Sequence, residues 1–313
     1  VAEYLGTNHT EFILSEKEAI NEFEGIIEHM DEPFADSSVL PTMMVSKMAR
    51  KHVTVCLSGD GGDEQFFGYG AYNWANRLRN PIYWNLRYPI SKFLKFSANN
   101  QKKRGALVFN SPKSNWKSHI FSQEQFLFSE VEIKKILKVR ANSEIINQMN
   151  LDSKNKRELT SYESQALFDL NNYLVDDLLV KVDRCSMYSS LECRVPLLDH
   201  NIVEFSLNID RKLKYKNGNQ KYILKEILYD HIPHKIMDRP KWGFAIPLEK
   251  WLKKELRYLI EKYLNEEVIN EINILDYNDV SNIKKRFFDG ESYLYNRIWT
   301  LVVLTKFLKE NVG

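Results

Sequence analysis

Cysteine is scarce in this chain: Cys56, Cys185 and Cys193 are the three in 313 residues, and no two form a C-x-x-C pair. That is too few and too scattered for a disulfide framework or a four-ligand zinc site, and it fits a reducing, cytoplasmic setting. An excess of charge of one sign is lacking too. Lys+Arg at 44 against Asp+Glu at 42 leave a net +2, without the basic surplus that marks a nucleic-acid binder. The longest apolar stretch, near 298–308, is about half the roughly 20 residues a membrane span needs. No segment reads as a secretory signal. G-x-x-x-x-G-K-[ST] is missing, which excludes a Walker-type ATPase. The apolar 43% and charged 27% are ordinary, so disorder and low complexity are excluded, and the length suits one large domain or two modest ones.

What is present reads as an α/β layered part followed by a mostly helical part. Val1 opens without a methionine; residues 1–5 resemble the tail of a helix stopped at Gly6, and 9–14 reads as a short strand. Ser15 with Glu18 three residues on is a capping-box signature, and apolar residues at helical spacing predict a helix over 16–30. A second helix is expected over 41–51, then a β-branched run over 53–57 suited to a strand buried on both faces. Helix, strand, helix, strand in this order argues α/β layering. We divide the chain at 1–80 (α/β core), 81–160 (aromatic-rich helical insertion) and 161–313 (helical remainder). In the insertion, Lys102-Lys103-Arg104 among many aromatics reads as helical core with a solvated loop rather than a nucleic-acid platform. Leu167, Leu170, Leu174 and Leu178 are expected on one helical face, and 293–309 as an apolar helix docked on the core.

Ser58-Gly59-Asp60-Gly61-Gly62-Asp63-Glu64 is the most informative segment. Glycines let a backbone approach a ligand closely, and the end of a buried strand is where open α/β sheets bind ligands. Amides at a following helix N-terminus favour anions, whereas three carboxylates repel a bare phosphate. A divalent cation resolves the conflict, because carboxylates hold Mg²⁺ and Mg²⁺ bridges phosphate oxygens. Acidic residues also cap helices; three carboxylates and three glycines within seven residues exceed that need.

With Phe67-Gly68-Tyr69 after it, this loop resembles the asparagine synthetase family's synthetase domain. Asp31-Glu32-Pro33-Phe34-Ala35-Asp36 with Pro41 is similar to a second family segment, and 176–184 and 191–199 to two more. Arg239-Pro240-Lys241-Trp242-Gly243-Phe244 with Pro247 completes the set. The resemblance implies an adenine-nucleotide α-hydrolase-like (PP-loop ATPase) fold with a parallel sheet, its first strands missing here. It implies that ATP and Mg²⁺ activate a carboxylate as an acyl-adenylate, which ammonia from an upstream glutaminase domain then converts to an amide. Carried over, Ser58 and Gly59 contact the nucleotide, Asp63 holds Mg²⁺, Asp60 acts on the incoming amine, and Lys241 stabilises charge during acyl transfer. Asp177 and Lys181 match a charged pair lining the pocket. Cys185 and Cys193 read as buried packing, and Glu192 with Arg194 as a structural ion pair. Partners are then a small-molecule carboxylate and ammonia, with neither nucleic acid nor membrane; a homodimer is compatible.

Departures bear on the substrate. The family's Ser-Gly-Gly-x-Asp-Ser pyrophosphate loop, the next strand and the glutaminase are absent from these 313 residues, so this polypeptide alone is expected to be inactive. Phe67 stands where many members have glycine and is expected to narrow the pocket. Ser37 replaces an arginine that binds aspartate in some members. Aspartate to asparagine is the leading reaction; amidation of a sugar uronate, or a degenerate scaffold, are the alternatives. An RNA-modifying enzyme of the same superfamily would call for a basic face and paired cysteines in the sequence, and neither is seen.

Overall fold

The computed structural model describes residues 1–13, 15–97, 99–139, 143–151, 157–237 and 246–311. They are mostly helical, with one small parallel sheet. Two compact units form, each from separated stretches: Val1–Ile26, Asp36–Tyr69 and Asn172–Ile246 in the first, Ile27–Ala35, Gly70–Asn171 and Pro247–Gly313 in the second. The sequence spans set at 80 and 160 describe texture along the chain; these units describe proximity in space.

Local signals act as expected in the first unit. The helix Glu16–His29 starts with a capping box: Ser15 N donates to Glu18 Oε2 at 3.1 Å and Glu18 N to Ser15 Oγ at 3.2 Å. The helix Val39–Ala49 buries Val39, Leu40 and Met43 and packs against the helix Val180–Tyr188. Strand β1 (Val55–Leu57) pairs in parallel with β2 (Glu192–Arg194).

Two strand expectations need correction. Residues 9–13 form no strand; they run irregularly along the helix Val39–Ala49, where both line a groove of about 710 Å³. Leu14 lies outside the described residues. β1 is shorter than 53–57, and it is not buried: Val55 is 38% and Leu57 72% exposed. Its apolar residues fit a covered strand, but among the described residues β2 is its one ladder partner.

The leucine face over 167–178 is also revised. After the helix Ser161–Phe168 the chain widens into a π-helix, Asp169–Leu179, before resuming α geometry. Wider turns shift every later side chain relative to a 3.6-residue period, and of the four leucines Leu174 alone is buried.

The second unit is built on the helix Tyr295–Asn311, which buries Ile298, Trp299, Leu301, Val302 and Val303 against the helices Arg257–Tyr263, Glu266–Ile272 and Tyr277–Phe288. Each such side chain contributes about 1.5–3 kcal/mol when fully removed from water. The basic and aromatic residues of the insertion are mutually engaged. Arg87 lies over Trp84 and Tyr88, and Arg104 pairs with Glu124 at 3.1 Å and lies over Phe126. No helix among the described residues is long and apolar enough to cross a membrane.

Candidate active site

The acidic loop leaves β1 held by a continuation of the sheet ladder, with Ser58 N donating to Arg194 O at 2.9 Å. Gly61 takes φ +80°, and a Cβ there would meet Leu198 Cδ2 at 2.3 Å. Only glycine satisfies both conditions. Gln65 Nε2 donates to Leu197 O at 2.6 Å, so 191–199 braces 58–65 from the neighbouring strand. The helix that follows, Gly62–Gln65, is one turn, too short for an appreciable macrodipole. That weakens the expected attraction of its end for anions.

The three loop carboxylates diverge. Asp60 Oδ2 accepts from Ser58 Oγ at 2.6 Å. Asp63 Oδ2 pairs with Lys221 Nζ at 2.9 Å. Glu64 is buried, where its Oε1 accepts from Tyr69 Oη at 2.6 Å and its Oε2 has no partner. Burial raises the Glu64 carboxyl above its ordinary range against the lowering effect of that Tyr69 bond. It therefore serves as a core hydrogen-bonding group rather than a metal ligand. Among the described residues, no group of three His, Cys, Asp or Glu side chains is placed to hold a metal ion. Mg²⁺ commonly takes one or two protein carboxylates and completes its shell with water and phosphate, so Asp63, partly exposed at 21%, fits that limited role.

Lys221 was not singled out from sequence. Its backbone sits at φ +54°, its N donates to Phe66 O at 3.0 Å, and it follows the hairpin 215–220. The Asp63–Lys221 pair lies over Gly68: a Cβ there would meet Asp63 Oδ1 at 1.8 Å and Lys221 Cε at 2.5 Å.

Phe67 explains its own departure from glycine. It adopts φ +58°, the left-handed region glycine favours, while its ring is buried and Lys214 Nζ lies 4.9 Å from the ring centroid. Truncation to alanine keeps the strained backbone and loses the ring, at about 3–5 kcal/mol. Phe67→Gly should be less destabilised than Phe67→Ala by about 0.5–1 kcal/mol, the left-handed penalty less glycine's larger unfolded-state entropy. Urea denaturation of both variants checks the order, which is the reverse of the usual one for these two residues.

A second cluster surrounds Lys181. Its buried Nζ donates to Asp36 Oδ2 at 2.6 Å and Ser38 Oγ at 2.8 Å. Ser38 N also donates to Asp36 Oδ1 at 2.8 Å. Burial raises the Asp36 carboxyl, but the Lys181 charge and these hydrogen bonds outweigh it and leave it below its ordinary value. Asp177, on the π-helix, is pushed up to about 8 by burial and then by the Asp36 charge. The pair Asp177–Lys181 is thus a trio centred on Asp36, a residue to which the sequence motif assigned no role. Lys241, and most of its motif, lie outside the described residues. Cys185 is buried as expected. Cys193 is half-buried and stands opposite Cys56. Glu192 and Arg194 pair at 2.7 Å on an exposed face, a contact worth at most about 1 kcal/mol.

A sequence profile of the family described as Asparagine synthase matches residues 1–309. The chain is similar to asparagine synthetase [glutamine-hydrolyzing] 1 of Bacillus subtilis, 28% identical over 304 residues, covering 96% of this chain and 47% of the relative. It is similar to asparagine synthetase [glutamine-hydrolyzing] 3 of the same organism, 26% identical over 245 residues, covering 77% and 34%. Amidase chyE of Penicillium rubens is 21% identical over 323 residues, covering 92% and 46%. The chain spans under half the length of each of these relatives.

Proposed function

This chain belongs to the asparagine synthase family, and from that membership we propose that it is the synthetase part of a glutamine-dependent amidoligase. In this reading the fold is a PP-loop ATPase type, the acceptor carboxylate is activated as an acyl-adenylate, and ammonia from a glutaminase domain forms the amide. The observation that carries the reading is the family match over nearly the whole chain, with the acidic loop held at the end of a parallel strand.

Mg·ATP, when bound, supplies the phosphoanhydride that activates the carboxylate. Ser58 and Gly59 would contact the nucleotide and Asp63, paired with Lys221 at 2.9 Å, would hold Mg²⁺. Asp60, an acceptor-only carboxylate when ionised, takes a proton from the attacking amine. Lys241 stabilises the negative charge that builds up on the acyl centre and the departing phosphate. Asp36, Asp177 and Lys181 shape the acceptor side.

Aspartate is the proposed acceptor. A second reading, a sugar uronate, is favoured by Ser37, whose hydroxyl offers no charge to a second carboxylate. The test is carboxylate-dependent pyrophosphate release by the full-length enzyme with aspartate and with uronates. Lys241→Ala should lower kcat by roughly 10²-fold with the better acceptor and change KM less, because a group acting on developing charge matters most in the transition state. Lys241→Arg should not restore the rate, since a planar guanidinium cannot place a compact charge at the same point. Unchanged kcat in Lys241→Ala would remove Lys241 from the mechanism.

A further inference from the structure

Although cysteine is scarce, two of the three cysteines face each other. The parallel register of β1 and β2 pairs Cys56 with Cys193, flanked by Val55 with Glu192 and Leu57 with Arg194. Paired residues of a ladder send their side chains to the same face, and adjacent strands lie about 4.8 Å apart. That spacing falls inside the Cα window of roughly 4.4–6.8 Å that a disulfide spans. Both residues are free thiols and half-buried. Cys185 is of a different kind: it is fully buried in the helix Val180–Tyr188, with its Sγ on Val39 O at 3.5 Å.

We propose that Cys56 and Cys193 form a redox-modification site, a cross-strand dithiol that closes to an intramolecular disulfide by exchange with a small-molecule disulfide of the glutathione class. Burial, and then the Cys193 thiol, push the Cys56 thiol up to about 11, and the exchange has the same balance whichever of the two thiols attacks first. With Cys193 first, its thiolate attacks one sulfur of the external disulfide, breaking its S–S bond and expelling one external thiolate. Cys56 then attacks the Cys193 sulfur of the mixed disulfide and expels the second. The two protein thiol protons go to the two leaving thiolates. The protein loses two electrons and the external disulfide gains them.

The cross-link would sit at the root of the acidic loop. Cys56 is two residues before Ser58, whose N is bonded to Arg194 O, and β2 leads into Leu197 and Leu198, which pack on Gly62 and Gly61. Closure would therefore pin the strands that position the loop. The proposal stands apart from the activity proposed above and is tested without it.

Full-length protein would be equilibrated with oxidised glutathione, quenched in acid, blocked with N-ethylmaleimide and mapped by peptide mass spectrometry. The expected product is one peptide pair joined through Cys56 and Cys193 and lighter by two hydrogens, with neither cysteine carrying the blocking group. Cys185→Ser should cross-link equally well. Cys56→Ser and Cys193→Ser should lose the linked pair, and Cys56→Ser should stop at a glutathione adduct on Cys193. Concentrated urea should suppress the cross-link, because the fold supplies the proximity. Recovery of both residues as blocked thiols, or as lasting separate glutathione adducts in the wild-type protein, would overturn the proposal.

Discussion

Asp63→Asn in the full-length enzyme is expected to lower carboxylate-dependent pyrophosphate release by roughly 10³-fold or more, the upper end of what losing one preorganised electrostatic group costs. The amide keeps the shape and the contact with Gly68 but removes the charge a divalent cation needs. Folding should survive. Asp63 is 21% and Lys221 32% exposed, so the pair is partly buried and its loss costs more than the ~1 kcal/mol of a surface pair and less than the about 3–5 kcal/mol of a fully buried one. Thermal unfolding of the variant separates the two effects. A stable variant with near-normal turnover would remove Asp63 from the metal's shell.

The largest effect on stability is expected at the second cluster. Lys181→Met leaves Asp36 and Asp177 side by side without their cation, and breaking a buried pair from one side costs about 3–5 kcal/mol. The penalty should be greatest at neutral pH and shrink in acid, where both carboxyls are protonated. Asp177 itself sets a pH dependence. Its folded value near 8 lies above the unfolded one of about 3.9. Below about 4 both states hold the proton. Between about 4 and 8 the folded state keeps a proton that the unfolded state releases, so stability falls as pH rises through that window. Asp177→Asn should flatten the fall, as read from urea midpoints across the range. An Asp177→Asn variant whose midpoints keep the wild-type pH dependence across that interval would contradict the assignment.

What was legible in the sequence was mostly local. The Ser15–Glu18 capping box and the apolar helix near the C-terminal end depend on neighbours a few residues away, and both form. The run 53–57 holds a strand, but its burial depends on what flanks the sheet, which residue pattern does not state. Residues 9–14 read as a short strand, yet 9–13 find no ladder. The π-helix over Asp169–Leu179 is invisible to a 3.6-residue periodicity, and it carries Asp177. Family motifs pointed to the loop, but not to Lys221 or to the centrality of Asp36. Those pairings are set by the positions of a distant hairpin and a distant helix. The facing of Cys56 and Cys193 depends on the register of two strands far apart in the chain, which no local signal encodes.

The central claim, activation of a carboxylate by adenylation, is tested most directly by isotope transfer. Full-length enzyme, Mg·ATP and ammonia would be given an acceptor, aspartate or a uronate, labelled with ¹⁸O in its carboxylate, and the phosphorus products analysed by mass spectrometry. Adenylation places the acceptor carboxylate oxygen on the α-phosphorus, so one labelled oxygen should appear in AMP and none in pyrophosphate or inorganic phosphate. Label in inorganic phosphate would indicate transfer of the terminal phosphoryl group instead. That result, or amide formed with unlabelled AMP, would contradict the account.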